Sequence, residues 1–142
     1  MDVSVRRIDK GLPLPEYKTA GAAAMDCCMR EDVVVPPRGV AMGTLNIALK
    51  PPPGHFVFIA ARSSLHKRGL MMANAVGIGD EDYSGNNDEY KAPLYNFTDE
   101  PIEVKRGERV AQMMILPFDR VVWKEVESLD SPNRGGFGTT GV

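Results

Sequence analysis

Cysteine is almost absent from this 142-residue chain, which contains only Cys27 and Cys28, next to each other. Adjacent cysteines rarely form a disulfide because the bond geometry strains the backbone, so we expect two reduced thiols. Because no further cysteine and no histidine cluster lies near them, we expect no zinc site here.

Long apolar runs are also missing. No window approaches the roughly 18 apolar residues of a transmembrane helix, and residues 1–10 lack the apolar centre of a signal peptide. We therefore expect a soluble, intracellular protein, cytoplasmic by default, with no membrane partner.

An excess of one charge is lacking too, since 17 Lys and Arg against 19 Asp and Glu give a net charge of -2. Such a chain does not attract a polyanion in general, so we expect no nucleic-acid partner.

Turn-forming residues are abundant, with 14 Gly and 11 Pro, and they leave little room for long helices. Apolar stretches lie between turn signals such as residues 36–39 (PPRG) and 51–54 (PPPG). The stretches are residues 3–8, 33–35, 40–49, 56–60, 70–73, 92–97, 102–104, 109–117 and 121–126. This spacing predicts an all-β fold, a jelly-roll-like antiparallel β-barrel, with one short helical turn at residues 63–68.

Residues 128–142 differ from the rest, because SLDSPNRGGFGTTGV carries too little apolar surface to order itself. We therefore divide the chain into a β-barrel domain, residues 1–127, and a flexible Gly-rich C-terminal arm, residues 128–142. A frayed terminus is the alternative. An arginine beside glycines, two hydroxyls and a ring within a few residues favour an arm that binds an anion and a planar group.

Common catalytic motifs are missing: the chain has no P-loop, no GxGxxG and no HExxH pattern. His66 lies near Ser63 and Ser64, but a serine hydrolase also needs a positioned acid and a strained turn at the nucleophile, so we interpret His66 as a surface residue. Two segments carry more chemistry. Residues 61–65 (ARSSL) place a guanidinium beside two hydroxyls, which suits phosphate oxygens. Residues 77–85 (GIGDEDYSG) put three acids and a tyrosine on a tight turn or strand end.

Five short motifs follow one another along the chain. They are residues 20–28 (AGAAAMDCC), 61–64 (ARSS), 74–85 (NAVGIGDEDYSG), 107–112 (GERVAQ) and 134–141 (RGGFGTTG). A single motif of this length could arise by chance. Their order and spacing together, however, resemble the trimeric deoxyuridine triphosphatase (dUTPase) family over nearly the whole chain. That family cleaves dUTP between the α and β phosphates. The resemblance thus implies a Mg²⁺-assisted dUTP diphosphatase that forms dUMP and pyrophosphate by water attack on the α-phosphate.

The third motif implies the nucleoside site. Asp80 falls on the family's catalytic aspartate, which deprotonates the attacking water and holds the sugar 3′-hydroxyl. Tyr83 falls on the tyrosine whose ring packs under the deoxyribose and excludes a 2′-hydroxyl. Asn74, with the backbone at Gly77 and Ile78, matches the hairpin that reads the Watson–Crick edge of uracil. Cytosine would leave buried polar groups of this hairpin unpaired.

The first, second and fourth motifs imply the phosphate site. Arg62, Ser63 and Ser64 match the phosphate-binding second motif, and Gln112 matches the glutamine near the α-phosphate. Mg²⁺ is the implied cofactor, carried mainly by triphosphate oxygens and water. Asp26 resembles the first-motif acid that approaches this ion, through water only.

The fifth motif implies an arm that closes over a site built by other subunits. Phe137 would stack on uracil, while Arg134 and the backbone and hydroxyls after it would wrap the γ-phosphate. The binding residues implied are Arg134, Gly135, Gly136, Phe137, Gly138 and Thr139. A homotrimer with three shared active sites is therefore implied, with dUTP as the small-molecule partner.

Three departures from the family pattern stand out. Gly79 occupies a position where the family usually has an aliphatic residue, so we expect a lost anchor before Asp80, more backbone freedom and lowered activity. Pro132 stands where longer family members have their arginine, which leaves Arg134 as the substitute. Residues 86–91 (NNDEYK) lengthen the hairpin that follows.

Two alternative functions stay open on the sequence. One is a catalytically weak dUTPase-like protein that binds nucleotide or regulates a partner without turnover, which Gly79 would suit. The other is a related dCTP deaminase, although such chains are longer and need a catalytic glutamate in a motif context that this sequence lacks. Pyrophosphate release from dUTP and ammonia release from dCTP distinguish the three hypotheses.

Overall fold

The computed structural model describes residues 1–138, which form eleven β-strands and one short 3₁₀ helix. The strands are β1 (Ser4–Arg7), β2 (Met25–Cys28), β3 (Val33–Val35), β4 (Val40–Thr44), β5 (Ile47–Lys50), β6 (His55–Ala61), β7 (Leu70–Met72), β8 (Val76–Gly79), β9 (Lys91–Asn96), β10 (Ile102–Val104) and β11 (Arg109–Pro117). The 3₁₀ helix spans Leu65–Arg68 and ends at Gly69, whose left-handed φ of 79° suits glycine at a helix C-terminus.

All strand pairs are antiparallel. The largest sheet has the order β2-β11-β6-β8, the next has β4-β9-β7, and β1-β5 and β10-β3 form two-stranded ladders. The predicted all-β, jelly-roll-like fold is confirmed. The hydrogen-bonded ladders of residues 1–138 form these four sheets rather than one closed barrel.

One hydrophobic core lies between the sheets. Strand side chains point alternately to opposite faces, and in β9 the buried positions are Ala92, Leu94 and Asn96. The buried cluster takes residues from every sheet, including Val35, Ile47, Val57, Leu70, Leu94, Val104 and Met113. Burying such a side chain contributes about 1.5–3 kcal/mol, so this cluster holds the ladders together and fixes the strand ends near the site.

Most predicted strands are confirmed, and the exceptions have local causes. Residues 40–49 divide into β4 and β5 because Asn46, between them, adopts a positive φ of 67°. Residues 121–126 form no strand. No strand among residues 1–138 pairs with them, and Val122 and Trp123 are 95% and 90% exposed. The helical turn predicted at residues 63–68 is present over Leu65–Arg68.

The two cysteines lie in β2 and are both free and buried. Burial raises the pKa of Cys27 to about 12, so this thiol stays protonated at neutral pH. Within residues 1–138, no helix has the length and apolar character needed to cross a membrane.

Candidate active site

A pocket of about 360 Å³ opens beside β8, the edge strand of the four-stranded sheet. Its lining includes the five residues predicted from the third motif: Asn74, Gly77, Ile78, Asp80 and Tyr83. An edge strand presents backbone N–H and C=O groups that the sheet does not use. The pocket therefore combines main-chain donors and acceptors with a carboxylate and an aromatic ring.

Asp80 follows the last residue of β8, and its side chain is exposed. The N–H of Tyr83 donates to the carbonyl of Asp80 at 3.1 Å, which closes a turn and brings the ring to the same pocket as the carboxylate. The neighbouring Glu81 accepts a hydrogen bond from the N–H of Gly54 at 3.1 Å. This bond fixes the acidic turn to the β5–β6 connection, so that Asp80 faces solvent from a held backbone.

Gly77 keeps the pocket open at the main chain. It pairs with Ile59 of β6, and a Cβ at Gly77 would lie only 3.2 Å from the Cβ of Ile59. The side-chain nitrogen of Asn74 lies 3.8 Å from the same position. The amide of Asn74 and the backbone of Gly77 are therefore adjacent, as recognition of a base edge requires.

The ring of Tyr90 takes the place of the aliphatic side chain missing at Gly79. A Cβ at Gly79 would lie 2.4 Å from Cε1 and 2.7 Å from Oη of Tyr90. The expected lost anchor is therefore wrong, because the ring of Tyr90, in the segment just before β9, fills this position. Burial raises the pKa of Tyr90 to about 12, with smaller contributions from Tyr83 and Asp80. Burial also raises the pKa of Tyr83, so both phenols are neutral at physiological pH.

The residues predicted for phosphate binding form a second cluster around Asp26. β11 pairs with both β2 and β6, which brings three motifs side by side. Nε of Arg62 donates to Oδ1 of Asp26 at 3.0 Å, and Nη1 of Arg109 donates to Oδ2 at 3.0 Å. Nε2 of Gln112 donates to the carbonyl of Ala61 at 2.9 Å. Arg109 was not predicted from the sequence; its guanidinium adds positive charge to this cluster.

Ser63 and Ser64 are exposed at the beginning of the 3₁₀ helix. Ser64 is the N-cap residue but makes no side-chain capping bond, so the helix does not use its hydroxyl. Within residues 1–138 no three or more His, Cys, Asp or Glu side chains are grouped to hold a metal ion. Both oxygens of Asp26 accept bonds from arginines, and its side chain is 11% exposed. Its contact with Mg²⁺ through water stays a prediction.

The pocket beside β8, predicted to hold the nucleoside (the nucleoside pocket), and the cluster around Asp26, predicted to bind phosphate (the phosphate cluster), are separate within one chain. Of the described residues, none from the phosphate cluster lines the pocket. The arm residues Arg134, Gly135 and Gly138 are exposed, Gly136 is half-buried, and the ring of Phe137 is fully exposed. Thr139 lies outside the described residues. The structure thus groups two parts of the predicted site, and none of the described arm residues lines the pocket.

The pocket also has lining residues that were not predicted: Met42, Ile59, Gly79, Glu89, Tyr90, Lys91 and Pro93. Three of them belong to or border the lengthened hairpin at residues 86–91. Its extra length was the available signal, but the sequence alone does not indicate that the hairpin folds back over β8.

The fold is all-β, with an acid and a ring beside an edge strand and arginines in a separate cluster, an arrangement that suits the binding of a nucleotide. A family model described as dUTPase matches residues 10–141, and the chain belongs to the dUTPase family. It is 41% identical over 147 residues to the deoxyuridine 5′-triphosphate nucleotidohydrolase of Dictyoglomus turgidum, covering 99% of this chain and 98% of that protein.

Solved structures are similar as well. The dUTPase from Streptococcus mutans matches with a TM-score of 0.76 and 28% identity, over 84% of this chain and 98% of that one. A mutant dUTPase of Staphylococcus bacteriophage 80alpha with dUpNHpp has the same fold, with a TM-score of 0.85 and 23% identity over 99% of both chains.

Proposed function

We propose that this chain is a dUTP diphosphatase that hydrolyses dUTP to dUMP and pyrophosphate. The observation that carries the proposal is the grouping of Asn74, Gly77, Ile78, Asp80 and Tyr83 around one pocket in a member of the dUTPase family. Since nucleoside triphosphates are made and used inside the cell, we propose an intracellular, cytoplasmic location.

Asp80 is the general base. Its exposed carboxylate accepts a proton from a water molecule whose oxygen bonds to the α-phosphorus. The bond from that phosphorus to the oxygen bridging to the β-phosphate breaks, and pyrophosphate leaves with the bonding electrons. A guanidinium has five N–H donors, so Arg62 binds phosphate oxygens while Asp26 orients it. Ser63, Ser64 and Gln112 supply further hydrogen bonds to the triphosphate.

Selectivity arises from shape and from hydrogen-bond pattern. The ring of Tyr83 packs against the deoxyribose and leaves no space for a 2′-hydroxyl. Asn74 and the backbone at Gly77 and Ile78 bind the Watson–Crick edge of uracil. Cytosine presents an amino donor where this edge requires an acceptor, which leaves buried groups unpaired, and the methyl group of thymine collides with the strand.

The substrate is the Mg²⁺ complex of dUTP. Mg²⁺ keeps several waters and binds substrate phosphates with few protein carboxylates, and Asp26 would contact it through water only. The two ion pairs of Asp26 suit an outer contact rather than direct ligation. Chelation by EDTA should abolish turnover and added Mg²⁺ should restore it.

The enzyme is a homotrimer with three shared sites. Two features support this: the nucleoside pocket and the phosphate cluster are separate in one chain, and apolar side chains of residues 121–123 are exposed. Residues 128–142 form an arm that reaches the site of another subunit, with Arg134 and the backbone of Gly135, Gly136, Gly138 and Thr139 at the γ-phosphate and Phe137 on uracil. Sedimentation equilibrium measures the trimer directly.

Shared sites are tested by mixing two inactive forms, an Asp80→Asn variant and a chain that ends at Pro132. Coexpressed, they should regain part of the dUTPase activity, because a mixed trimer joins an intact Asp80 to an intact arm. If the two forms assemble into mixed trimers and remain inactive, the active sites are not shared between subunits.

The decisive assay measures pyrophosphate release from dUTP, dCTP, dTTP and UTP with Mg²⁺. We expect a clear preference for dUTP. Binding of dUTP without release of pyrophosphate would indicate a nucleotide-binding protein instead, and ammonia from dCTP would indicate a deaminase.

A further inference from the structure

Tyr90 occupies space that a side chain at position 79 would need. Contacts below 3.0 Å to a Cβ essentially never occur, and a Cβ at Gly79 would lie 2.4, 2.7 and 2.9 Å from three atoms of the Tyr90 ring. The ring is only 4% exposed. Gly79 and Tyr90 are thus complementary in shape, directly before the catalytic Asp80.

The same ring contacts Tyr83. The two ring centroids are 5.3 Å apart and the planes meet at 83°, an edge-to-face contact of the kind that aromatic pairs prefer. Oη of Tyr83 donates to the carbonyl of Glu89 at 3.1 Å. Tyr83 is therefore held by its ring contact with Tyr90 and by its hydroxyl, although 39% of the residue stays exposed.

The segment that holds Tyr83 is itself fixed to the core. The N–H of Tyr90 donates to the carbonyl of Ile47 at 2.9 Å, and the N–H of Leu45 donates to the carbonyl of Tyr90 at 3.0 Å. The carboxylate of Glu89 accepts two bonds from Arg30, at 2.8 and 3.0 Å, and one from the N–H of Asn46 at 3.0 Å. These bonds leave Tyr90 a fixed support rather than a mobile loop residue.

We propose that Tyr90 is a positioning residue for sugar discrimination: its ring replaces the side chain absent at Gly79 and holds Tyr83 where a 2′-hydroxyl would collide with it. The inference rests on the proposed function of the pocket as a deoxyuridine site. It assigns to the lengthened hairpin a role in selectivity, and it explains why glycine is compatible with an ordered strand before Asp80.

The test compares the binding of the α,β-imido analogues of dUTP and UTP by calorimetry. Tyr90→Leu keeps apolar volume but removes the ring that contacts Tyr83, so the preference for the deoxy analogue should fall by about tenfold. Tyr90→Ala should do the same where it folds. Tyr90→Phe should keep the preference, because the hydroxyl bond it loses is long, at 3.5 Å.

Gly79→Val combined with Tyr90→Ala should restore part of the preference that Tyr90→Ala loses, because valine refills the space; Gly79→Val alone should reduce the preference. Such opposite effects show that the two positions are coupled. Tyr95→Ala is the matched control: it removes a ring from β9, the strand that follows Tyr90, outside the pocket lining, and should leave the preference unchanged.

Melting temperatures separate positioning from packing. A Tyr90→Leu variant that melts earlier but keeps the wild-type ratio of the two affinities would overturn the proposal. A wild-type protein that does not prefer the deoxy analogue would instead overturn the proposed function, a result that can be distinguished before any variant is made.

Discussion

The space beside Gly79 is filled by the ring of Tyr90, which lies eleven positions further along the chain. Isoleucine at this position would place its Cβ 2.4 Å from the ring of Tyr90, and overpacking of this kind costs about 1–3 kcal/mol. We therefore expect Gly79→Ile to lower both the melting temperature and dUTP turnover. Gly21→Ala is a suitable stability control, because a Cβ there meets nothing within 4 Å. Raised stability in Gly79→Ile would mean that Tyr90 repacks at little cost.

The sequence predicted the opposite outcome for Gly79. Glycine in a strand, with no nearby side chain in the sequence to replace the missing one, predicts a loosened strand. The ring that fills the space belongs to Tyr90, just before β9, and only the folded structure brings it there. The third-motif residues could be predicted because their order carries the family pattern. Tyr90 and Arg109 could not, since their roles arise only when strands distant in sequence come together.

Asp80→Asn separates binding from chemistry. The amide keeps the shape of the carboxylate and its hydrogen bonding to the sugar, but it cannot take a proton from water. We expect turnover to fall at least about a hundredfold while the affinity for the α,β-imido analogue of dUTP stays near that of the wild type. A variant that retains most of its turnover would exclude Asp80 as the base and direct attention to Asp82.

Tyr90 also predicts a pH dependence of stability. Burial favours the neutral phenol in the folded state, with its pKa raised from 10.0 to about 12. Between these values the unfolded chain releases a proton that the folded chain keeps, so stability falls as pH rises through this window and is unaffected below it. Tyr90→Phe should lose less stability than the wild type between pH 9.5 and 11, approximately. Urea midpoints measure this, and equal losses would contradict it.

At the scale of secondary-structure elements, the start of β9 is fixed by a buried ion pair. Arg30 binds both oxygens of Glu89, whose side chain is 11% exposed, and this pair joins the end of β2 to the hairpin over the pocket. Removing one partner of such a pair costs about 3–5 kcal/mol because the other charge stays buried. Arg30→Ala should lower stability by roughly that amount.

The control for Arg30 is Lys105→Ala. Lys105 pairs with Asp32, and both side chains are more than half exposed, so its removal should cost about 0–1 kcal/mol. Urea unfolding measures both variants. Equal small effects would show that solvent reaches Glu89 easily and that the ion pair does not hold the hairpin.

A strand can be predicted from the sequence when its buried side chains form an apolar run between turn residues. Residues 33–35, 102–104 and 109–117 are apolar runs between turn residues, and each matches a strand. β2 was missed because its residues, MDCC, mix a charge with buried thiols. Residues 121–126 have a strand-like sequence but form no strand among residues 1–138, since pairing depends on a neighbouring strand that sequence periodicity does not supply.

At the scale of the whole molecule, the proposed function needs three surfaces together: the nucleoside pocket, the phosphate cluster and the arm. Motif order could identify the residues of each surface. Their separation within one chain could not be predicted, because it depends on which ends of β6 and β11 each motif occupies. The phosphate cluster lies where β2, β6 and β11 adjoin, whereas Asp80 follows β8, whose Gly79 pairs with Val57 near the other end of β6.

Removing the arm tests whether dUTP hydrolysis needs it or whether it is a terminus with no role in the reaction. The described part of the tail, residues 128–138, forms no strand, and Leu129 and Phe137 are exposed, so a chain that ends at Pro132 should keep its melting temperature. Its dUTP turnover should nevertheless collapse, because closure over the triphosphate excludes water and completes the site.

Phe137→Ala should reproduce part of this loss, since stacking of a base on a ring is worth about 1–3 kcal/mol. Leu129→Ala removes an exposed apolar side chain outside the fifth motif and should have no effect on turnover. Full activity of the shortened chain would remove Arg134 and Phe137 from the site and leave the tail as a frayed terminus.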